Sequence, residues 1–228
     1  MLEKFGIIGS GHIGSALQSG LARAGYADIL ASNDESNNIS VVTDSGIVFL
    51  AVRPVRACQV LDQIEPYLKD KILISLVAGL SISIRDVDVF RLMTSLLISE
   101  NMGLNIVWTE VKTSEDSKRR VAQLLAKLAP TRWVNSEEDI DRATLSVGAA
   151  PGWIAEIISH LPPEMLAQTF EYLRNTGVTA KDLAQKVATP GGITESMIET
   201  LEFGARLKLS FDQGSTRMDL IKQWYRKI

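Results

Sequence analysis

The chain has 228 residues, 46% hydrophobic and 22% charged, with a formal net charge of −3. That composition can bury a real core in one large or two modest domains, and it excludes the basic footprint of a nucleic-acid or anionic-membrane binder. One cysteine, Cys58, rules out an intramolecular disulfide, and two histidines, His12 and His160, leave a Cys/His zinc site almost without ligands, so no metal is expected. The start, MLEKFGIIG, runs into a strand pattern rather than a signal peptide, and ILISLVAGLSISI is too short to span a bilayer. A soluble, cytoplasmic protein without a membrane partner is expected.

Residues 4–8 (KFGII) read as a buried strand ending at Gly9. Ile13, Leu17 and Leu21 then fall at helical spacing over 12–24, and DILAS (28–32) reads as a second strand. Gly9, Gly11 and Gly14 therefore stand at a strand-to-helix turn inside a βαβ unit, the setting that gives GxGxxG its meaning. Gly9 permits the tight turn, Gly11 lets a pyrophosphate approach the backbone, and Gly14 lets helix and strand pack closely. The alternative is a glycine-rich turn with no ligand.

The next stretch, NDESNNISVVTDS (33–45), is too short for the helix and third strand that normally follow, so a helix is expected to be missing there. GIVFLAVRP (46–54) is a continuous apolar run of the kind found in a central parallel strand, stopped by Pro54. A helix over 55–68 follows, then strands at 71–79, 88–93 and 104–108, an amphipathic helix over 114–128 capped by Ser114, and a strand at 131–135. This alternation predicts a parallel sheet with helices on its faces. From Ser136 onward the pattern is all helical, with segments at 137–147, 149–160, 163–175, 179–188, 193–211 and 215–227 separated by Pro and Gly breaks. The expected architecture is α/β: a Rossmann-type, mostly parallel sheet, abbreviated after strand 2, over 1–135, and an all-α domain over 136–228.

Six stretches in order, GIIGSGHIGSAL (6–17), FLAVRP (49–54), ILISLVAGLS (72–81), VFRLM (89–93), GAAPGW (148–153) and VATPGGIT (187–194), together resemble the pyrroline-5-carboxylate reductase family. The Rossmann loop is shared by many dehydrogenases, whereas TPGGIT is the most selective piece. The resemblance implies reduction of a cyclic imine, 1-pyrroline-5-carboxylate, to proline by NADP or NAD. It implies that Gly9, Ser10, Gly11, His12, Ile13 and Gly14 bind the pyrophosphate, and that Ala51, Val52, Arg53, Pro54, Ala78 and Gly79 line the nicotinamide side. Thr189, Gly191, Gly192 and Thr194 match the loop that holds substrate in the family, with Thr194 at the ring nitrogen as the catalytic group. The family dimerises through its helical domain, so a homodimer or higher homo-oligomer is implied. A protonated imine is already electrophilic, and its reduction needs positioning and a hydroxyl rather than a strong acid or metal.

NADP-preferring relatives read Ser-Asn-Arg after strand two. Here Ser32 and Asn33 match, but Asp34 and Glu35 follow, which predicts a weakened preference for NADP. Other departures are Thr94-Ser95-Leu96 in place of Pro-Asn-Thr, Val147-Gly148-Ala149-Ala150 in place of Ser-Gly-Ser-Gly, and a shortened segment between Trp153 and Thr189. The alternatives are a β-hydroxyacid-dehydrogenase-like oxidoreductase, with Lys181 or Lys186 as its acid/base, and a non-catalytic cofactor-binding relative. Cys58 and the four tryptophans read as core or contact residues.

Overall fold

The computed structural model describes residues 3–159 and 161–188, together with Pro190, Gly192, Gln213, Thr216, Met218, Asp219, Lys222 and Gln223. Thr189, Gly191, Thr194, the expected helix at 193–211 and most of the expected helix at 215–227 lie outside the described residues.

Seven strands form one sheet: β1 (Phe5–Ile8), β2 (Ile29–Ser32), β3 (Ile47–Leu50), β4 (Ile72–Ser75), β5 (Asp88–Met93), β6 (Asn105–Thr109) and β7 (Thr131–Trp133), in the order β2-β1-β3-β4-β5-β6-β7. Every pairing is parallel except β5 with β6. β1, β3 and β4 are buried along their whole length, as apolar runs covered on both faces must be. Between β5 and β6 the chain makes only a 3₁₀ turn, Leu96–Glu100, in place of a crossover helix, and the strands return antiparallel.

Alternation along the strands sends side chains to two cores. On one face Phe5, Ile7, Phe49, Ile74 and Phe90 meet Leu17 and Leu21 of α1 (His12–Arg23) and Val121, Leu124, Leu125 and Leu128 of α4 (Glu115–Leu128). On the other, Ile8, Val48, Leu50 and Leu73 meet Val41 and Val42 of α2 (Glu35–Thr43) and Ala57, Val60 and Ile64 of α3 (Pro54–Ile64). Cys58 is half-buried against this second core, and burial pushes its thiol pKa up. A fully buried leucine contributes about 2 kcal/mol relative to an exposed one, so each helix is held mainly by its apolar stripe.

The presence of α2 corrects the expectation of a missing helix after strand two. Its apolar periodicity is weak, and other contacts define it. Asp34 caps it by accepting the Ser36 N–H at 3.1 Å, and Glu35 joins it to α3. The Ser114 cap of α4 is present as expected, accepting from the Ser117 N–H at 3.2 Å.

The chain divides into two compact units, residues 1–151 with 217–228, and residues 152–216. In the first, α5 (Glu137–Ala143) and a π-helical turn, Thr144–Gly148, follow β7, with Ile140 and Ala143 packed beside Met93 and Ile106. The second contains α7 (Pro163–Thr176), ended by Gly177 in the left-handed region at φ 68°, and α8 (Ala180–Val187), capped by Thr179; α6 (Ala150–Ile158) runs across the division. Met165, Phe170 and Tyr172 of α7 are exposed. Among the described residues no helix is long and apolar enough to cross a membrane.

Candidate functional site

A cleft of about 980 Å³ opens beyond the C-terminal ends of β1, β2 and β3. It lies where the chain order reverses about β1, the position at which open α/β sheets hold their ligands. Gly9 to His12 follow β1, Ser32 to Glu35 follow β2, and Ala51 to Arg53 with Arg56 follow β3. Leu96 and Ser99 of the 3₁₀ turn complete the wall.

The three glycines of the first turn have three different environments. Gly9 has φ 103°, a left-handed conformation, and a Cβ there would lie 2.7 Å from the Ala51 carbonyl oxygen. At Gly14 a Cβ would lie 1.9 Å from the Gly9 carbonyl oxygen, so α1 can approach the turn only with a bare α-carbon. At Gly11 a Cβ would meet nothing within 4 Å, and Gly11 itself lines the cleft. Two glycines are thus required by the fold, and the third is not. Its open side faces the N-terminus of α1, where unpaired N–H groups and the helix dipole favour an anion.

Of the residues singled out from the sequence, Gly9, Ser10, Gly11, His12, Ser32, Asn33, Ala51, Val52 and Arg53 all line this one cleft. The others sit behind it or elsewhere. Ile13 packs on the first core, Gly14 is buried, and Pro54 opens α3 at its first position. Ala78 packs beside Met93 and Ile106, and Gly79 follows it in the left-handed region at φ 71°. Gly192 belongs to the second compact unit, while Thr189, Gly191 and Thr194 lie outside the described residues.

The wall after β2 is rigid and charged. The Ser32 hydroxyl donates to the Asp34 carbonyl at 2.7 Å and accepts from the Asp34 N–H at 3.3 Å. Hydrogen bonds from the Ser36 N–H and hydroxyl hold the Asp34 carboxyl below the usual range. Glu35 forms an ion pair with Arg56. Arg53 makes no ion pair among the described residues, which leaves its cation open to the cleft.

One further feature was singled out in the sequence as a departure, and a second escaped it. Thr94 and Ser95 are buried, at 4% and 3% exposure, and the Thr94 hydroxyl has no hydrogen-bond partner among the described residues. Arg91, inside the apolar run of β5 and 3% exposed, donates to Glu137 at 3.2 Å and to Asp141 at 2.7 Å; Lys222 reaches Asp141 at 2.5 Å. An arginine within VFRLM, followed far downstream by EEDID, was the available signal. Among the described residues no cluster of His, Cys, Asp and Glu could hold a metal ion.

Comparison with known proteins agrees with this geometry. Residues 31–79 match a family model described as NADP oxidoreductase, coenzyme F420-dependent. The chain is 25% identical over 249 residues to pyrroline-5-carboxylate reductase 2 of Bacillus subtilis, spanning 88% of this chain and 87% of that one. Among solved structures it is similar to the Plasmodium falciparum pyrroline carboxylate reductase with NADP bound, with a TM-score of 0.81 at 21% identity, covering 96% and 98% of the two chains. It is also similar to the 1-pyrroline-5-carboxylate reductase of Streptococcus pyogenes, with a TM-score of 0.74 at 21% identity, covering 97% and 98%. The chain thus has the Rossmann-type fold of these reductases and resembles them in sequence along most of its length.

Proposed function

We propose that the protein is a nicotinamide-dependent reductase of a cyclic imine, acting on 1-pyrroline-5-carboxylate to give proline. The observation that carries the nucleotide half is the split among the three glycines: Gly9 and Gly14 are fixed by packing, while Gly11 is left bare toward an open cleft. The residues present suit a dinucleotide. The first-turn amides of α1 and the bare Gly11 would hold the pyrophosphate, Arg53 would offset its charge, and the polar wall from Ser32 to Asp34 would take the adenosine ribose. When bound, the nicotinamide supplies a hydride for the C=N carbon.

The substrate half is supported by the likeness to pyrroline-5-carboxylate reductases over most of the chain. On that reading Thr189 and the Pro-Gly-Gly turn at Gly191 and Gly192 receive the substrate carboxylate, and the Thr194 hydroxyl holds the ring nitrogen. Holding the imine in reach of the nicotinamide supplies most of the rate, because the protonated substrate needs no further acid. The C-terminal segment from 136 onward would complete the site as a homodimer, with two copies covering apolar faces such as the one carrying Met165 and Tyr172.

The test is Thr194→Val, which keeps the side-chain shape and removes the hydroxyl. The proposal expects turnover to fall about 10- to 100-fold, the worth of one hydrogen bond that strengthens in the transition state, with nucleotide affinity unchanged. Normal turnover in a folded variant with a lowered melting temperature would make Thr194 a structural residue.

A further inference from the structure

Two carboxylates and one guanidinium meet on the wall of the cleft beyond β2. We propose that they select the nucleotide. Asp34 takes the ribose hydroxyls of NAD(H), and Glu35 holds Arg56 in an ion pair that denies it to the 2′-phosphate of NADP(H). The inference rests on the dinucleotide reading above and deepens it, because neither Glu35 nor Arg56 was assigned a role there beyond the wall.

Each group is held in place. Asp34 is fixed through both its main-chain groups by Ser32 and through its carboxylate by Ser36. Glu35 is bound from one side by α3. Its carboxylate accepts from Arg56 and from Gln59 at 3.4 Å, and its carbonyl accepts from Gln63 at 2.7 Å. The Gln63 amide oxygen in turn accepts from Asn38 at 3.0 Å, which ties the first turns of α2 to α3. Arg56 lines the same cleft as Asp34 and Glu35, and its side chain keeps 51% exposure, so a ligand could reach it.

Charge then decides between the two nucleotides. Asp34, Glu35 and Arg56 together carry one net negative charge. A ribose diol meets such a wall by donating to carboxylate oxygens, whereas a 2′-phosphate brings about two further negative charges against it. Arg56 is the cation suited by geometry to a phosphate, but Glu35 already occupies it. Removing the Glu35 charge, with its shape retained, cancels the net charge and frees the guanidinium in one step.

The experiment measures dissociation constants of NADH and NADPH by nucleotide fluorescence for the wild type, Glu35→Gln, Arg56→Gln and the double variant, with thermal melts to show each is folded. The wild type is expected to bind NADH more tightly. Glu35→Gln should tighten NADPH about fivefold or more and move NADH by less than about twofold, a size set by exposed charge pairs. Arg56→Gln should weaken NADPH further, and the double variant should lose the gain. Tighter NADPH binding by the wild type, an equal shift of both nucleotides in Glu35→Gln, or a gain that survives the double variant would each overturn the selection mechanism. A folded wild type that binds neither nucleotide would instead overturn the dinucleotide reading, and this inference with it.

Discussion

Substituting Gly11 and Gly14 separates ligand binding from folding. At Gly14 a Cβ would sit 1.9 Å from the Gly9 carbonyl oxygen, and the obstructing atoms are backbone. Ordinary van der Waals contact needs well over an ångström more, so either α1 or the turn must move, and Gly14→Ala is expected to cost about 3 kcal/mol, the upper part of the range for overpacking. At Gly11 a Cβ would meet nothing within 4 Å, and the residue has φ −69° and ψ −171°, which any side chain tolerates. Gly11 is the N-cap of α1 without a side-chain bond, so Gly11→Val should cost about 1 kcal/mol or less. Its branched side chain would nevertheless occupy the space beside the first-turn amides and should raise the NADH dissociation constant at least about 100-fold, the loss of close pyrophosphate contact. Urea denaturation measures the first effect and a fluorescence titration the second. A Gly11→Val protein that binds NADH like the wild type, or a Gly14→Ala protein of unchanged stability, would refute the assignment of roles within the turn.

Other consequences can be checked by stability measurements. Arg91→Met takes a buried guanidinium from Glu137 and Asp141, of which Asp141 keeps its pair with Lys222, and should cost about 3 kcal/mol in urea denaturation. Thr94→Val removes a buried hydroxyl that has no partner among the described residues, and should raise stability by about 1 kcal/mol. Burial pushes the Asp88 pKa up, but hydrogen bonds from Ser114 and Ser117 and the charge of Lys118 outweigh it and leave the carboxyl below its ordinary 3.8. A carboxylate lowered on folding contributes stability that is complete above its unfolded pKa and lost as pH falls through the folded one. The melting temperature should therefore drop below about pH 4, and less steeply in Asp88→Asn than in the wild type.

Much of the sheet could be read from the sequence because its central strands are continuous apolar runs. β1, β3 and β4 are buried at every position, and such runs bounded by Gly or Pro have few other readings. α4 was equally plain, since an amphipathic stripe and the Ser114 cap agree. α2 was missed because ESNNISVVT has little apolar periodicity, and its order comes from Asp34 and from the contacts of Glu35 and Asn38 with α3. Tertiary contact overrode weak local preference. The Arg91 cluster joins residues 46 and 50 positions apart, a separation that no local pattern reveals. In the cleft, the glycine spacing was visible because each glycine has a separate physical reason, whereas the ion pair of Glu35 with Arg56 depended on how α2 meets α3.

The central claim is turnover, and the most direct measurement is the oxidation of NADH and of NADPH by the purified protein with 1-pyrroline-5-carboxylate, read at the nicotinamide absorbance with proline assayed as the product. The account predicts substrate-dependent oxidation that yields proline in equal amount and saturates with both nucleotide and imine. Tight nucleotide binding with no oxidation above the substrate-free rate would contradict it.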